Sequence, residues 1–151
     1  MSQSLSKLFV HIIFHTKNSC TLIRFEDKAR LYAYIGSVIK DRGSIPISIN
    51  GIKDHVHILC VMSKNIHLAL LTEEIKRHSS RWIKTLDPYY SNFAWQGGYA
   101  GFSVSPSVVN RTKRYIENQE EHHKKRTFEE EYILFLKEYR IEYDKQYLFS
   151  D

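Results

Sequence analysis

The chain opens on an alternation of apolar and polar positions with the period of a strand. From Leu8 to His15, Leu8, Val10, Ile12 and Phe14 alternate with Phe9, His11, Ile13 and His15. Successive strand side chains point to opposite faces, so one face is wholly apolar and the other carries two histidines. The period then changes. Leu31, Ile35, Val38 and Ile39 recur at helical spacing within a helix predicted over Phe25 to Arg42, with Gly43 as its stop. Ile45 to Asn50 reads as a second strand with Asn50-Gly51 as a turn signal, and Ile52 or Asp54 to Met62 as a third, so the two form a hairpin. His67 to Leu86 predicts a second helix with Leu68, Leu71, Ile75, Trp82 and Leu86 on one stripe, ended by Asp87-Pro88. A loop rich in glycine and aromatic residues leads to a short fourth strand over Phe102 to Ser105. Ser105-Pro106 has an N-cap followed by proline at the first helical position, which predicts a helix to about Lys125. Thr127-Phe128-Glu129-Glu130 has capping-box spacing and opens a last helix, with Phe128, Tyr132, Phe135 and Leu136 as its apolar stripe. The tail from Ile141 mixes aromatic and charged residues without a clear period.

The order strand, helix, strand, strand, helix, strand, then helices predicts an α+β fold. It matches the split βαβ plan of ferredoxin-like and RRM-like domains: a four-stranded antiparallel sheet with two helices on one face, here followed by a C-terminal helix carrying a tyrosine. No repeat, low-complexity segment or linker interrupts residues 1–151, which read as a single domain. In this plan the first and third strands are central neighbours. Their apolar faces meet the helices, and the face bearing His11, His15, His55 and His57 is expected to be open.

Composition adds modest constraints. The excess of 22 basic over 17 acidic residues gives +5, compatible with a polyanionic partner without requiring one. Aromatic content of 13% includes ten tyrosines, and rings interleaved with Lys and Arg suit single-stranded nucleic acid as well as an ordinary core. Cys20 and Cys60 form no close metal-binding pair and no disulfide framework; Cys60 reads as a buried thiol, and a reducing cytoplasmic location is expected. No apolar run approaches a membrane span, and the N-terminus has no signal-peptide layout.

The candidate chemistry lies in Asp54-His55-Val56-His57-Ile58-Leu59-Cys60-Val61-Met62. On a strand His55 and His57 share a face, while Val56, Ile58, Cys60 and Met62 line the other. Two convergent imidazoles are half of a metal site, although most such triplets are simply satisfied histidines. Downstream, Tyr115 and Gln119 are i and i+4, so on one helix they share a face. Few residues of that helix are aliphatic, so it is not expected to be a core helix. A solvated basic helix with an incidental tyrosine is the plain alternative. His122 and His123 are adjacent and cannot chelate simply from one helix face: one is expected near the site and the other in solvent. The Trp95-Gln96-Gly97-Gly98-Tyr99 loop suits a DNA contact or an edge turn equally.

Together, in this order, the two features resemble the HUH nucleases, and within them the single-tyrosine transposases of bacterial insertion sequences. The resemblance extends over SLSKLFVHIIFHTKN, INGIKDHVHILCVMS, FAWQGGYAGFSVS and RYIENQEEHHKKRTFEEEYILFLKEYRIEYDKQYL, nearly the whole chain. It implies that His55, His57 and Gln119 bind a divalent metal, Mg²⁺ or Mn²⁺, and that Tyr115 attacks phosphorus to form a 5′-phosphotyrosine bond and a free 3′-OH. It also implies single-stranded DNA hairpins at element ends as substrate, and a homodimer. His11, Arg77, Arg81, Lys113, Arg114, His122 and His123 are candidate DNA contacts. No nucleotide cofactor is expected, since the chain has no GxxxxGK[ST] motif. Two rival readings remain. Another HUH endonuclease shares the metal pair and tyrosine: a replication initiator or relaxase, usually within a longer protein, or a domesticated cellular nuclease, which would look the same. A non-enzymatic RRM-type module would show exposed aromatics where this sheet shows histidines.

Overall fold

The computed structural model describes residues 2–17 and 21–150, so Cys20 lies outside the described residues. The chain forms β1 (Leu8–His15), α1 (Lys28–Asp41), β2 (Ile45–Ile52), β3 (His55–Met62), α2 (Leu68–Ile83), β4 (Ala100–Val104), α3 (Val109–Glu117), α4 (Gln119–His122), α5 (Phe128–Glu138) and a final turn of helix, α6 (Lys145–Leu148). The sheet is antiparallel throughout, in the order β2-β3-β1-β4. The expected α+β architecture is therefore present, with β1 and β3 central. Their register sets Ile13 opposite His57 and His15 opposite His55, which brings four histidines onto one face.

On the other face, Ile12, Phe14, Val56, Ile58 and Cys60 meet Leu31, Ile35 and Ile39 of α1 and Leu71 and Ile75 of α2 in the main core. Burial drives the Cys60 thiol up to about 12, as an inert core residue would show. Gly43 stops α1 as expected, with φ +78°.

Three local expectations are corrected, and one alternative falls. The Asn50-Gly51 pair is not the hairpin turn: β2 continues to Ile52, and the chain reverses at Lys53-Asp54. Gly51 is required instead by crowding, since a Cβ there would lie 2.1 Å from the His55 carbonyl oxygen. The histidine face is not open, because α3, α4 and α5 cover it. The helix carrying Tyr115 is not a solvated rod: Ile116, Val108 and Val109 pack against Leu59 and Val104, few residues but enough to seat it on β2 and β3. Finally, the helix predicted from Pro106 to Lys125 is three pieces, a 3-10 turn at Pro106–Val108 followed by α3 and α4.

The break between α3 and α4 falls at Asn118, with φ −100° and ψ 25°. It frees the carbonyls of Ile116 and Glu117 from their helical partners. Both accept from the Asn50 amide nitrogen of β2, at 2.9 and 3.2 Å. Unanswered, each would cost about 1–3 kcal/mol if buried. Tyr115 and Gln119 thus ride on separate short helices rather than on one rigid element.

Candidate metal centre

His55 and His57 are both fully buried, and their Nε2 atoms point to a common centre beneath α4 and α5. His55 Nε2 lies 3.1 Å from Gln119 Oε1 and 3.6 Å from Glu131 Oε1. His57 Nε2 lies 2.8 Å from Glu131 Oε1. His123 joins them, its Nε2 3.1 Å from Gln119 Oε1 and 3.4 Å from Glu131 Oε1. The second oxygen of Glu131 accepts a short hydrogen bond from the Tyr115 hydroxyl and one of 3.3 Å from Gln119 Nε2. The phenol, the two strand histidines and the amide singled out in the sequence are brought together around one carboxylate.

Each imidazole is held from behind. His55 Nδ1 is 2.8 Å from Asp54 Oδ1, His57 Nδ1 is 2.8 Å from His11 Nε2, and His123 Nδ1 donates to the Arg126 carbonyl at 2.9 Å. A carbonyl can only accept, so His123 Nδ1 carries a proton. The Asp54 carboxyl is also held low: burial alone would raise it, and the hydrogen bond and charge of His55 prevail. With the Nδ1 atoms of His55 and His123 each taken up by an oxygen acceptor, their Nε2 atoms face oxygens of Gln119 and Glu131 that are themselves acceptors. Such a centre requires positive charge, either a proton on a ring or a cation. Two ligands about 2.1 Å from one cation and at right angles are about 3.0 Å apart, close to the 2.8–3.6 Å separations found here. With His55, His57, His123 and Glu131 all offering donor atoms within 4.8 Å of one another, the residues present fit a divalent cation.

Electrostatics fit the same picture. Burial pushes the His57 imidazole down to about 4 against the pull of Glu131. Burial, then its contact with His57, lowers His11 as well. Burial alone would raise Glu131, but hydrogen bonds from His123 and His57 hold it well below the usual carboxylate range. Burial alone would lower His123, and the bond and charge of Glu131 overcome it, so its pKa is raised. Burial, then the Glu131 charge, raises the Tyr115 phenol and keeps it protonated in the absence of a cation. Without added metal, urea stability is therefore expected to fall as pH drops from about 6.5 to about 4. In that window the unfolded chain protonates His57 and the folded chain does not, so stability rises with pH. The His57 contribution over the whole window is about 3 kcal/mol. The lowered His11 acts with the same sign and the raised His123 opposes it. Urea midpoints at about pH 7 and about pH 4.5 test this; a higher midpoint in acid contradicts it.

The remaining candidates divide. His11, expected to touch DNA, is only 2% exposed and is instead the support of His57, beneath Phe102 and Phe135. Both adjacent histidines are half-buried: His123 joins the centre, and His122 stacks on the Tyr115 ring at 4.3 Å, its Nε2 buried without a hydrogen-bond partner. Tyr115, Asn118, Glu121, His122, Lys125 and Arg126 line a cavity beside the phenol. Lys113 and Arg114 are exposed on α3. Arg77 and Arg81 are exposed on α2, across the sheet from the histidines. The Trp95–Tyr99 loop is tied down, with Trp95 packed on Phe14 and Lys76 bonded to the carbonyls of Gln96 and Gly98.

Sequence reasoning missed Glu131 and underrated Asp54. The signal for Glu131 was a carboxylate three residues after Phe128 on an apolar helical stripe, where a charge needs a buried partner.

The family model described as "Transposase IS200 like" matches residues 4–119. A transposase-assigned crystal structure from Deinococcus radiodurans R1 superposes with a TM-score of 0.60 at 21% identity, covering 79% of this chain and 98% of that one. A REP-associated tyrosine transposase bound to a REP hairpin superposes with a TM-score of 0.59 at 16% identity, covering 82% of this chain and 74% of that one. At these identities the two structures establish a shared fold. No curated protein matches the chain. Among the described residues, no helix is long and apolar enough to cross a membrane.

Proposed function

This chain belongs to the IS200-like transposase family, and from that premise we propose that it is a metal-dependent enzyme that nicks and rejoins single-stranded DNA at insertion-sequence ends through a 5′-phosphotyrosine on Tyr115. The observation that carries this reading is the convergence of His55, His57 and Gln119 with the Tyr115 hydroxyl around a single buried carboxylate. The whole chain acts as one catalytic domain in this proposal.

His55, His57 and Gln119 hold a divalent cation, Mg²⁺ or Mn²⁺, with the nitrogen-rich surroundings favouring Mn²⁺. When bound, the cation polarises the scissile phosphate and offsets charge in the transition state. Asp54 and His11 fix the ring orientations of His55 and His57 from behind. The Tyr115 oxygen attacks phosphorus, its proton passing to water, while the hydrogen bond to Glu131 Oε2 holds the phenol in place beforehand. The P–O3′ bond breaks as the P–O bond to tyrosine forms, and the departing 3′ oxygen takes a proton from water. The phosphodiester energy stays in the phosphotyrosine bond, so rejoining needs no nucleotide.

His122, Lys125 and Arg126 beside the phenol supply phosphate contacts for the strand being cut, with Lys113 and Arg114 extending that basic edge. Arg77 and Arg81 contact hairpin phosphates on the α2 side. A relative bound to a REP hairpin supports hairpin DNA as the ligand class. The test is a denaturing gel of the protein with labelled hairpin-bearing single strands and Mg²⁺ or Mn²⁺. A covalent protein–DNA band and a free 3′-OH fragment are expected; their absence over a panel of hairpins would favour a non-catalytic binding module. The family resemblance further predicts a homodimer, and a monomeric mass by light scattering, with and without hairpin DNA, would refute it.

A further inference from the structure

The family match ends at residue 119, yet the side chain with most connections at the centre lies beyond it. Glu131 is only 1% exposed. The capping box at Thr127 fixes where α5 begins, and Phe128, Tyr132 and Leu136 fix which face it buries. Glu131, one turn from Phe128, is thereby driven onto the histidine face of the sheet. Burying a carboxylate for stability alone is poor economy, since a buried ion pair rarely outperforms apolar packing. This carboxylate has more than one pair. Its Oε1 faces the Nε2 atoms of His55, His57 and His123, three rings each anchored through Nδ1 to a different partner. Its Oε2 accepts from the Tyr115 hydroxyl.

We propose that Glu131 is itself a ligand of the cation held by His55 and His57, and that its other oxygen seats the Tyr115 phenol, so that one carboxylate couples the metal centre to the nucleophile. The proposal rests on the metal-dependent reading above and deepens it. The set of protein ligands then carries one negative charge rather than none, and α5 is part of the centre.

Calorimetric titration of the full chain with Mn²⁺ tests the first half. Glu131→Gln keeps the shape and removes the charge, and should weaken Mn²⁺ binding at least about ten-fold while the circular dichroism spectrum is kept. Glu131→Asp keeps the charge on a shorter stem and should fall between Glu131→Gln and wild type. Binding within about two-fold of wild type in Glu131→Gln overturns the ligand role; should that variant not fold, wild-type affinity in Glu131→Asp does so. If His57→Ala weakens binding and the Glu131 variants do not, the metal reading stands and this inference falls. If the wild type binds no Mn²⁺, both fall.

The second half is read by ¹⁹F resonance of fluorotyrosine-labelled protein, in which the signal missing from Tyr115→Phe identifies Tyr115. It should move when Mg²⁺ is added to wild type and stay still in Glu131→Gln. A signal that moves equally in both overturns the seating role.

Discussion

Tyr115→Phe should abolish the covalent protein–DNA band at every metal concentration while leaving the fold, metal binding and hairpin binding in place. The substitution deletes one hydroxyl, the only oxygen of Tyr115 that can attack phosphorus. Loss of a nucleophile costs at least about 10⁴-fold in rate. The structural cost is small. Glu131 Oε2 loses one donor and keeps Gln119 Nε2, and the ring keeps its stacking on His122. A change of about 1–2 kcal/mol in stability is expected. The gel assay with wild type and Tyr115→Phe side by side decides it. A band that persists in Tyr115→Phe would reassign the nucleophile, with Tyr99 and Tyr132 next to be tested. Tyr132 is buried in the cluster under α5, where burial raises its phenol to about 12, and Tyr99, although 37% exposed, lies beside Lys76 of α2, across the sheet from the histidines.

His57→Ala should lose cleavage by another route. His57 is wedged between His11 and Glu131, each 2.8 Å away. Removing it withdraws one imidazole from the centre, leaves two buried groups short of a partner and opens a cavity. A stability loss of about 3 kcal/mol is expected alongside a large fall in metal affinity. Raising Mn²⁺ should recover part of the activity of His57→Ala, because His55, Gln119 and the other donors remain, whereas no metal rescues Tyr115→Phe. Gln119→Ala should be milder than either, since water can replace an amide oxygen. Thermal melts alongside calorimetry separate the folding and binding effects. Equal cleavage by His57→Ala and wild type would remove the strand histidines from the mechanism.

Local signals carried far into this structure. Period-two alternation in Leu8–His15 and in the His55-Val56-His57 strand was enough to put the histidines on the face away from Leu31 and Leu71, because strand geometry leaves side chains no third direction. The capping box at Thr127 and the stop at Gly43 are likewise short-range devices that appear as written. The misreadings share another cause. Whether the histidine face stays open depends on residues more than fifty positions away folding back over it, and nothing in β1 or β3 announces that. The break at Asn118 is stabilised by Asn50, at a separation of 66 residues from the first carbonyl it answers. Helical spacing alone gives Tyr115 and Gln119 one continuous element, because a helix interrupted by a distant side chain leaves no period of its own. Glu131 was visible only as an anomaly, a charge where the stripe required an apolar residue.

The placement of Glu131 also has a consequence in time. The ribosome delivers β3 with His57 first, and Glu131 follows 74 residues later. At roughly 5–20 residues per second, about 4–15 s separate them during synthesis. Throughout that interval the nascent chain carries its imidazoles and has neither the tyrosine helix in its final setting nor the carboxylate beneath it. Assembly of the buried centre is thereby postponed until α5 has been translated, and a message broken before α5 yields a product lacking that carboxylate.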